Sequence, residues 1–120
     1  MKGRGRRGWI KHLVGGFVLL ILSEKPCHGY DLAKKLSEIG FDFSDVAEMG
    51  ALYRLLNWFE SCGLVKSQWN FPDAGPAKKV YSITPLGMSY LQELAKTLER
   101  EKALLDAFFE EYRKIFPNLT

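Results

Sequence analysis

The sequence predicts a mostly α-helical fold with one small β-hairpin and a long C-terminal helix, and three observations carry that expectation. Apolar residues recur at helical spacing from Glu48 to Cys62 and again from Leu91 to Ile115. Between these stretches, two short runs of alternating apolar and polar residues flank the turn-rich loop Phe71-Pro72-Asp73-Ala74-Gly75-Pro76. The chain has 120 residues, 47% apolar and 26% charged, which suits one globular domain with a small core rather than a disordered segment.

The net charge of +3 conceals an asymmetry, because Lys2, Arg4, Arg6, Arg7 and Lys11 crowd the first residues with no acid among them. A basic arm over residues 1–11 on a nearly neutral body suggests a polyanionic partner, either nucleic acid or an acidic membrane surface. Arg6-Arg7 followed by the apolar run from Leu13 to Leu22 also resembles a twin-arginine export signal. No small-x-small cleavage site follows it, and the run is about half the length that spans a bilayer. A short buried helix from roughly His12 to Ser23 is the preferred reading, with Gly15 and Gly16 allowing close helix packing.

Pro26 breaks the chain, Cys27-His28-Gly29 turns it, and a second helix is expected from about Tyr30 to Glu38, ended by Gly40. Phe41 to Ala47 reads as a connector. In the third helix Leu52, Leu55, Leu56, Phe59 and Cys62 share an inner stripe, while Gly50, Tyr53, Arg54, Asn57 and Ser61 share the outer face. A merely solvated face is normally rich in Glu and Lys. This one carries a phenol, a guanidinium and a carboxamide, groups that hydrogen-bond base edges and phosphates, although ordinary surface residues would give the same pattern. Gly63 stops the helix, and strands follow over Leu64–Asn70 and Ala77–Ile83, the second with Tyr81 and Ile83 on one side. Lys78 and Lys79 make the hairpin tip basic, placed for phosphates or simply to guard a strand edge.

Thr84-Pro85 is a helix start, a capping hydroxyl followed by a proline where no amide donor is needed. Leu91, Leu94, Leu98, Leu105, Phe108, Tyr112 and Ile115 then form a coiled-coil-like seam, interrupted by Glu101. A helix of about thirty residues is about 45 Å long, more than so small a domain can cover, so its outer half is expected to meet another chain.

Cys27 and Cys62 have no metal-ligand or disulfide-framework spacing, and Cys62 is expected to serve the apolar stripe as a small hydrophobe. His28, alone in a turn, reads as structural. There is no Ser/His/Asp set, phosphate-cradling glycine loop or spaced carboxylate pair, so neither catalysis nor a metal or cofactor is expected.

Three short helices, a basic-tipped hairpin and a long seamed helix are the plan of a winged helix-turn-helix chain with a C-terminal dimerisation helix. Five blocks in this order resemble the PadR-type transcriptional regulators: His28-Gly29-Tyr30-Asp31-Leu32, Gly50-Ala51-Leu52-Tyr53-Arg54, Gly63-Leu64-Val65-Lys66-Ser67-Gln68-Trp69, Gly75-Pro76-Ala77-Lys78-Lys79-Val80-Tyr81 and Thr84-Pro85-Leu86-Gly87. The resemblance spans about residues 12 to 113 and implies a cytoplasmic, homodimeric repressor of the short type that binds double-stranded, palindromic DNA without a membrane partner. It divides the chain into the arm, a DNA-binding domain over residues 12–84 and a dimerisation helix over residues 85–116.

By the same resemblance, DNA contacts fall on Gly50, Leu52, Tyr53, Arg54 and Asn57, with Tyr30 touching a phosphate and Lys78 and Lys79 forming the wing contacts. Arg4, Arg6 and Arg7 would hold the DNA backbone. The dimer interface is expected at Leu91, Leu94, Leu98, Leu105, Phe108, Phe109 and Tyr112. A small apolar or aromatic effector is a further expectation, with Trp9, Phe17, Tyr90, Phe108 and Phe109 as its lining, although core packing alone accounts for the same rings. Glu48-Met49 departs from the small residue or proline that commonly precedes Gly50 in the family, and Glu48 would repel phosphates. Two other functional classes stay open: an exported or membrane-surface protein, and a dimeric protein-interaction module.

Overall fold

In a computed structural model the chain is described over residues 4–43 and 45–118, with side chains from His12 onward. The elements run α1 (Arg4–Glu24), β1 (Cys27–His28), α2 (Gly29–Ile39), α3 (Val46–Ser61), β2 (Val65–Asn70), β3 (Lys78–Ile83) and α4 (Pro85–Ile115). The fold is mostly helical, with a small antiparallel sheet in the order β1-β3-β2.

Helix α1 begins at Arg4, well before the expected start near His12, so helical backbone runs through most of the segment expected to be an arm. No proline intervenes, and a helix already nucleated by its apolar half propagates at little cost. The side chains of Arg4, Arg6, Arg7 and Trp9 lie outside those described. The apolar half of α1 is the centre of the core, with Val18, Leu19 and Leu22 at most 2% exposed, although Leu20 faces out. No described helix is long and apolar enough to cross a membrane.

Gly15 and Gly16 do what the sequence suggests. A Cβ at Gly15 would lie 3.0 Å from the Phe59 ring, and one at Gly16 would lie 3.2 Å from Leu94 Cδ2, so both neighbouring helices lie against bare backbone. Leu32 and Leu36 of α2, Leu52, Leu56 and Phe59 of α3, and Tyr81 of β3 complete the core.

The expected turn at Cys27 is instead the short strand β1, in which Cys27 pairs with Tyr81 and His28 with Val80. Two residues are too few to show a period of two, so the pairing depends on the edge that β3 offers. Burial pushes the Cys27 thiol pKa up from its ordinary value. Cys62, expected on the buried stripe, is exposed. Helix α3 stops one residue earlier, at Ser61, and leaves Cys62 as its C-cap.

Asp45 starts α3 by accepting the amide of Glu48 at 2.7 Å. At the other end Gly63 takes φ +78°, donating to the Glu60 carbonyl while Leu64 donates to that of Phe59. These paired bonds close the helix and turn the chain into β2. Thr84 then caps α4: its hydroxyl accepts from the Gly87 amide at 3.0 Å and reaches back to the Gly63 carbonyl. The start of α4 is thereby tied to the end of α3.

The seam of α4 serves two purposes. Leu94 is 6% exposed, with Leu98 beside it over Gly16 and Leu91 against the core, so these three expected interface residues pack mainly within their own chain. Leu105, Phe108 and Phe109 remain 44–58% exposed on the distal half, and Phe108, Tyr112 and Phe116 form a ladder of ring contacts along it. The radius of gyration is 17.3 Å, against roughly 14 Å for a compact chain of this length, which reflects that projection.

Gly87→Ala should be costly, because its Cβ would lie 2.1 Å from the Leu64 carbonyl oxygen, a backbone atom that cannot swing aside. A loss of about 3 kcal/mol is expected, read as a lower urea midpoint at unchanged slope.

Candidate nucleic-acid interface

Helix α3 presents a polar ridge because Leu52, Leu56 and Phe59 commit its opposite side to the core. Tyr53, Arg54 and Asn57 all face outward as expected. They do not share one concavity. Tyr53 and Asn57 line a groove of about 750 Å³ between α3, the start of α2 and the hairpin, together with Tyr30, Trp69, Tyr81 and both wing lysines, Lys78 and Lys79. Arg54 lies on the other flank, at a larger cavity of about 1010 Å³ lined by Phe41, Trp58, Phe59 and Tyr90. Gly50 is on the ridge between, where an added Cβ would meet Arg54 Nη1 at 3.4 Å. The guanidinium therefore lies back along the helix.

Leu52 is a correction to the expected contacts. It is 1% exposed and belongs to the core, so its side chain cannot reach a ligand, and its place in the Gly-Ala-Leu-Tyr-Arg block reflects packing.

Gly29 places Tyr53. A Cβ at Gly29 would come within 2.6–2.9 Å of three atoms of the Tyr53 ring and hydroxyl, so the phenol lies directly against the α2 N-terminus. Tyr30, next in the chain, is 72% exposed. The His28 ring lies beside Asp31 in the first turn of α2, Nδ1 to Oδ2 3.4 Å. The sequence marks His28 as structural, and Asp31 is the partner that the fold supplies. The pair is three residues apart, the spacing that joins side chains across one helical turn.

The two wing lysines differ. Lys78 is exposed and has no ion-pair partner among the described residues. Lys79 is half-buried, with its ammonium 3.6 Å from Glu60 Oε1 and 5.6 Å above the Tyr81 ring centroid. Alternation accounts for the difference: Lys79 shares a sheet face with Tyr81 and Trp69, while Lys78, on the alternate position, borders the same groove at the hairpin end of β3. Burial, and then the negative charge of Glu60, raises the pKa of Tyr81, which stands in the wall of the groove.

Trp69, to which the sequence assigned no role, is 55% exposed and opposite Lys79. Counting by twos from the buried Val65 through Ser67 reaches it, so the signal was present in the strand alternation. Glu48 stays exposed in the first turn of α3, beside the cavity that Arg54 lines rather than in the Tyr53 groove.

Residues 18–93 match the family described as the transcriptional regulator PadR-like family. Among solved structures, one described as a conserved protein of unknown function and a potential transcriptional factor is 35% identical, covering 98% of this chain and 100% of that one, with a TM-score of 0.75. A PadR-like transcriptional regulator from Bacillus cereus is 27% identical over 83% of this chain and 94% of its own, with a TM-score of 0.71. A PadR family transcription regulator from Clostridium difficile is also 27% identical, covering 80% and 97%, with a TM-score of 0.68.

Gly29→Ala should move the Tyr53 ring out of its seat, since that side chain can rotate where backbone could not. Binding of a duplex carrying the target site is expected to weaken about tenfold, while the melting temperature falls by only a few degrees. Fluorescence anisotropy and thermal denaturation of the same preparation check both halves.

Proposed function

Because the chain belongs to the PadR-like family of transcriptional regulators, we propose that it acts as a homodimeric repressor, the two α3 helices entering successive major grooves of a palindromic operator. The observation that carries this reading is the convergence of Tyr30, Tyr53, Asn57, Trp69 and Lys78 on one groove between α3 and the wing. Arg54 and Asn57 read base edges, Tyr53 and Tyr30 clamp flanking phosphates, and Lys78 holds the backbone from the wing. Gly50 lets the duplex approach α3 closely. The cationic residues Arg4, Arg6 and Arg7 add backbone attraction at the start of α1. Such a regulator acts in the cytoplasm, where the DNA is.

The dimer in this reading is built on the distal half of α4. Leu105, Phe108 and Phe109 form an exposed apolar surface bordered by the half-exposed Tyr112, and such a patch marks a contact with another molecule. A flat apolar effector fits the cavity walled by Phe41, Trp58, Phe59 and Tyr90, next to Arg54. Of the rings first considered for this role, Phe17 instead packs edge-on against Phe41, while Phe108 and Phe109 lie on α4 outside that cavity. To regulate, such a ligand must favour one placement of α3 over another.

Arg54→Ala is expected to weaken operator binding by about 1–3 kcal/mol with a much smaller change on random duplex, read by titrating both at one salt concentration. Equal losses on the two duplexes would remove Arg54 from base recognition. Phe108→Asp should give a folded monomer in light scattering that no longer binds the operator at protomer concentrations saturating for the unaltered chain, because Phe108 is 58% exposed and supports none of the monomer core.

A further inference from the structure

One carboxylate joins the three parts of the candidate interface. Glu60, in the last turn of α3, accepts the Ser67 hydroxyl of β2 through Oε2 at 2.5 Å and faces the Lys79 ammonium of β3 through Oε1 at 3.6 Å. Ser67 and Lys79 are diagonal neighbours on the same sheet face, since Ser67 pairs with Tyr81 and Trp69 with Lys79. All three side chains are partly screened from water, and Lys79 is further held over the Tyr81 ring.

We infer that Glu60 is a positioning residue for DNA recognition: it sets the wing against α3 and withholds the Lys79 charge from the phosphate backbone. This rests on the reading of α3 and the wing as the DNA interface. Electrostatic attraction to phosphate is blind to sequence and supplies most non-specific affinity. A lysine paired with an internal acid adds little to that background, whereas Lys78, which has no ion-pair partner among the described residues, adds to it. The arrangement therefore trades total affinity for discrimination and keeps the wing at a fixed angle while Tyr53 and Asn57 engage base edges and phosphates.

Glu60→Gln is the direct test, because the amide oxygen still accepts from Ser67 while the charge that restrains Lys79 is removed. Binding is measured on an operator duplex and on a random duplex of equal length across a salt series. Each protomer should gain one phosphate contact, so the slope of log affinity against log salt steepens by about 0.9 per protomer and random-duplex binding tightens by about three- to tenfold at low salt. The ratio of operator to random affinity should fall. Adding Lys79→Met to Glu60→Gln should remove the extra slope, which assigns it to that lysine. A Glu60→Gln protein that binds both duplexes with the unaltered slope and ratio overturns this inference and leaves the interface standing. An unaltered protein that binds no duplex at any salt overturns the interface reading and this inference with it.

Discussion

The close approach of α1 to its neighbours is the constraint on which the rest of the molecule depends. At Gly15 and Gly16 the backbone of α1 lies against Phe59 of α3 and Leu94 of α4, so that an added Cβ at either position would press on the neighbouring side chain. The same pair of glycines weakens α1 as an isolated helix by about 1 kcal/mol each. Tertiary contact reverses that local penalty, because Phe59 and Leu94 fill the space a side chain would take. Helices α3 and α4, which also meet through the Phe59 and Tyr90 rings, are thereby held by one strut, and the outward ridge of α3 follows from which of its residues that strut buries.

A second junction fixes where the wing and the long helix start. The α3 terminus at Gly63, the Thr84 cap and the contact of Gly87 with the Leu64 carbonyl lie within a few residues of one another in space. Through this junction the hairpin leaves α3 in a set direction and α4 departs along α1. Beyond Glu101 the apolar residues Leu104, Leu105, Phe108, Phe109 and Ile115 of α4 are exposed. Contiguous apolar surface of that kind is uncommon on a monomeric chain.

The groove between α3 and the hairpin is chemically mixed rather than uniformly basic. Lys78 has no ion-pair partner among the described residues, Lys79 is tied to Glu60, and His28 lies beside Asp31, so the charges there are partly paired. A surface of this kind favours contacts that depend on hydrogen-bond geometry over contacts that depend on charge alone. The aromatic groups at its walls, Tyr53, Trp69 and Tyr30, add flat apolar area that suits sugars and base edges as well as another protein.

Much of this molecule was legible in one dimension, wherever the information is local. The helical stripe of α3, the proline and threonine at the start of α4, the glycines that end α2 and α3, and the alternation in the hairpin each follow from backbone geometry within a few residues. The outward placement of Tyr53, Arg54 and Asn57 came from the same periodicity. What the tertiary structure alone decided depends on residues far apart in the chain. The pairing of β1 with β3, the capture of Lys79 by Glu60, the seating of Tyr53 on Gly29 and the division of the α4 seam into a covered and an open half are all such matters. A period states which way a side chain points, and only the packed neighbours determine what it meets there.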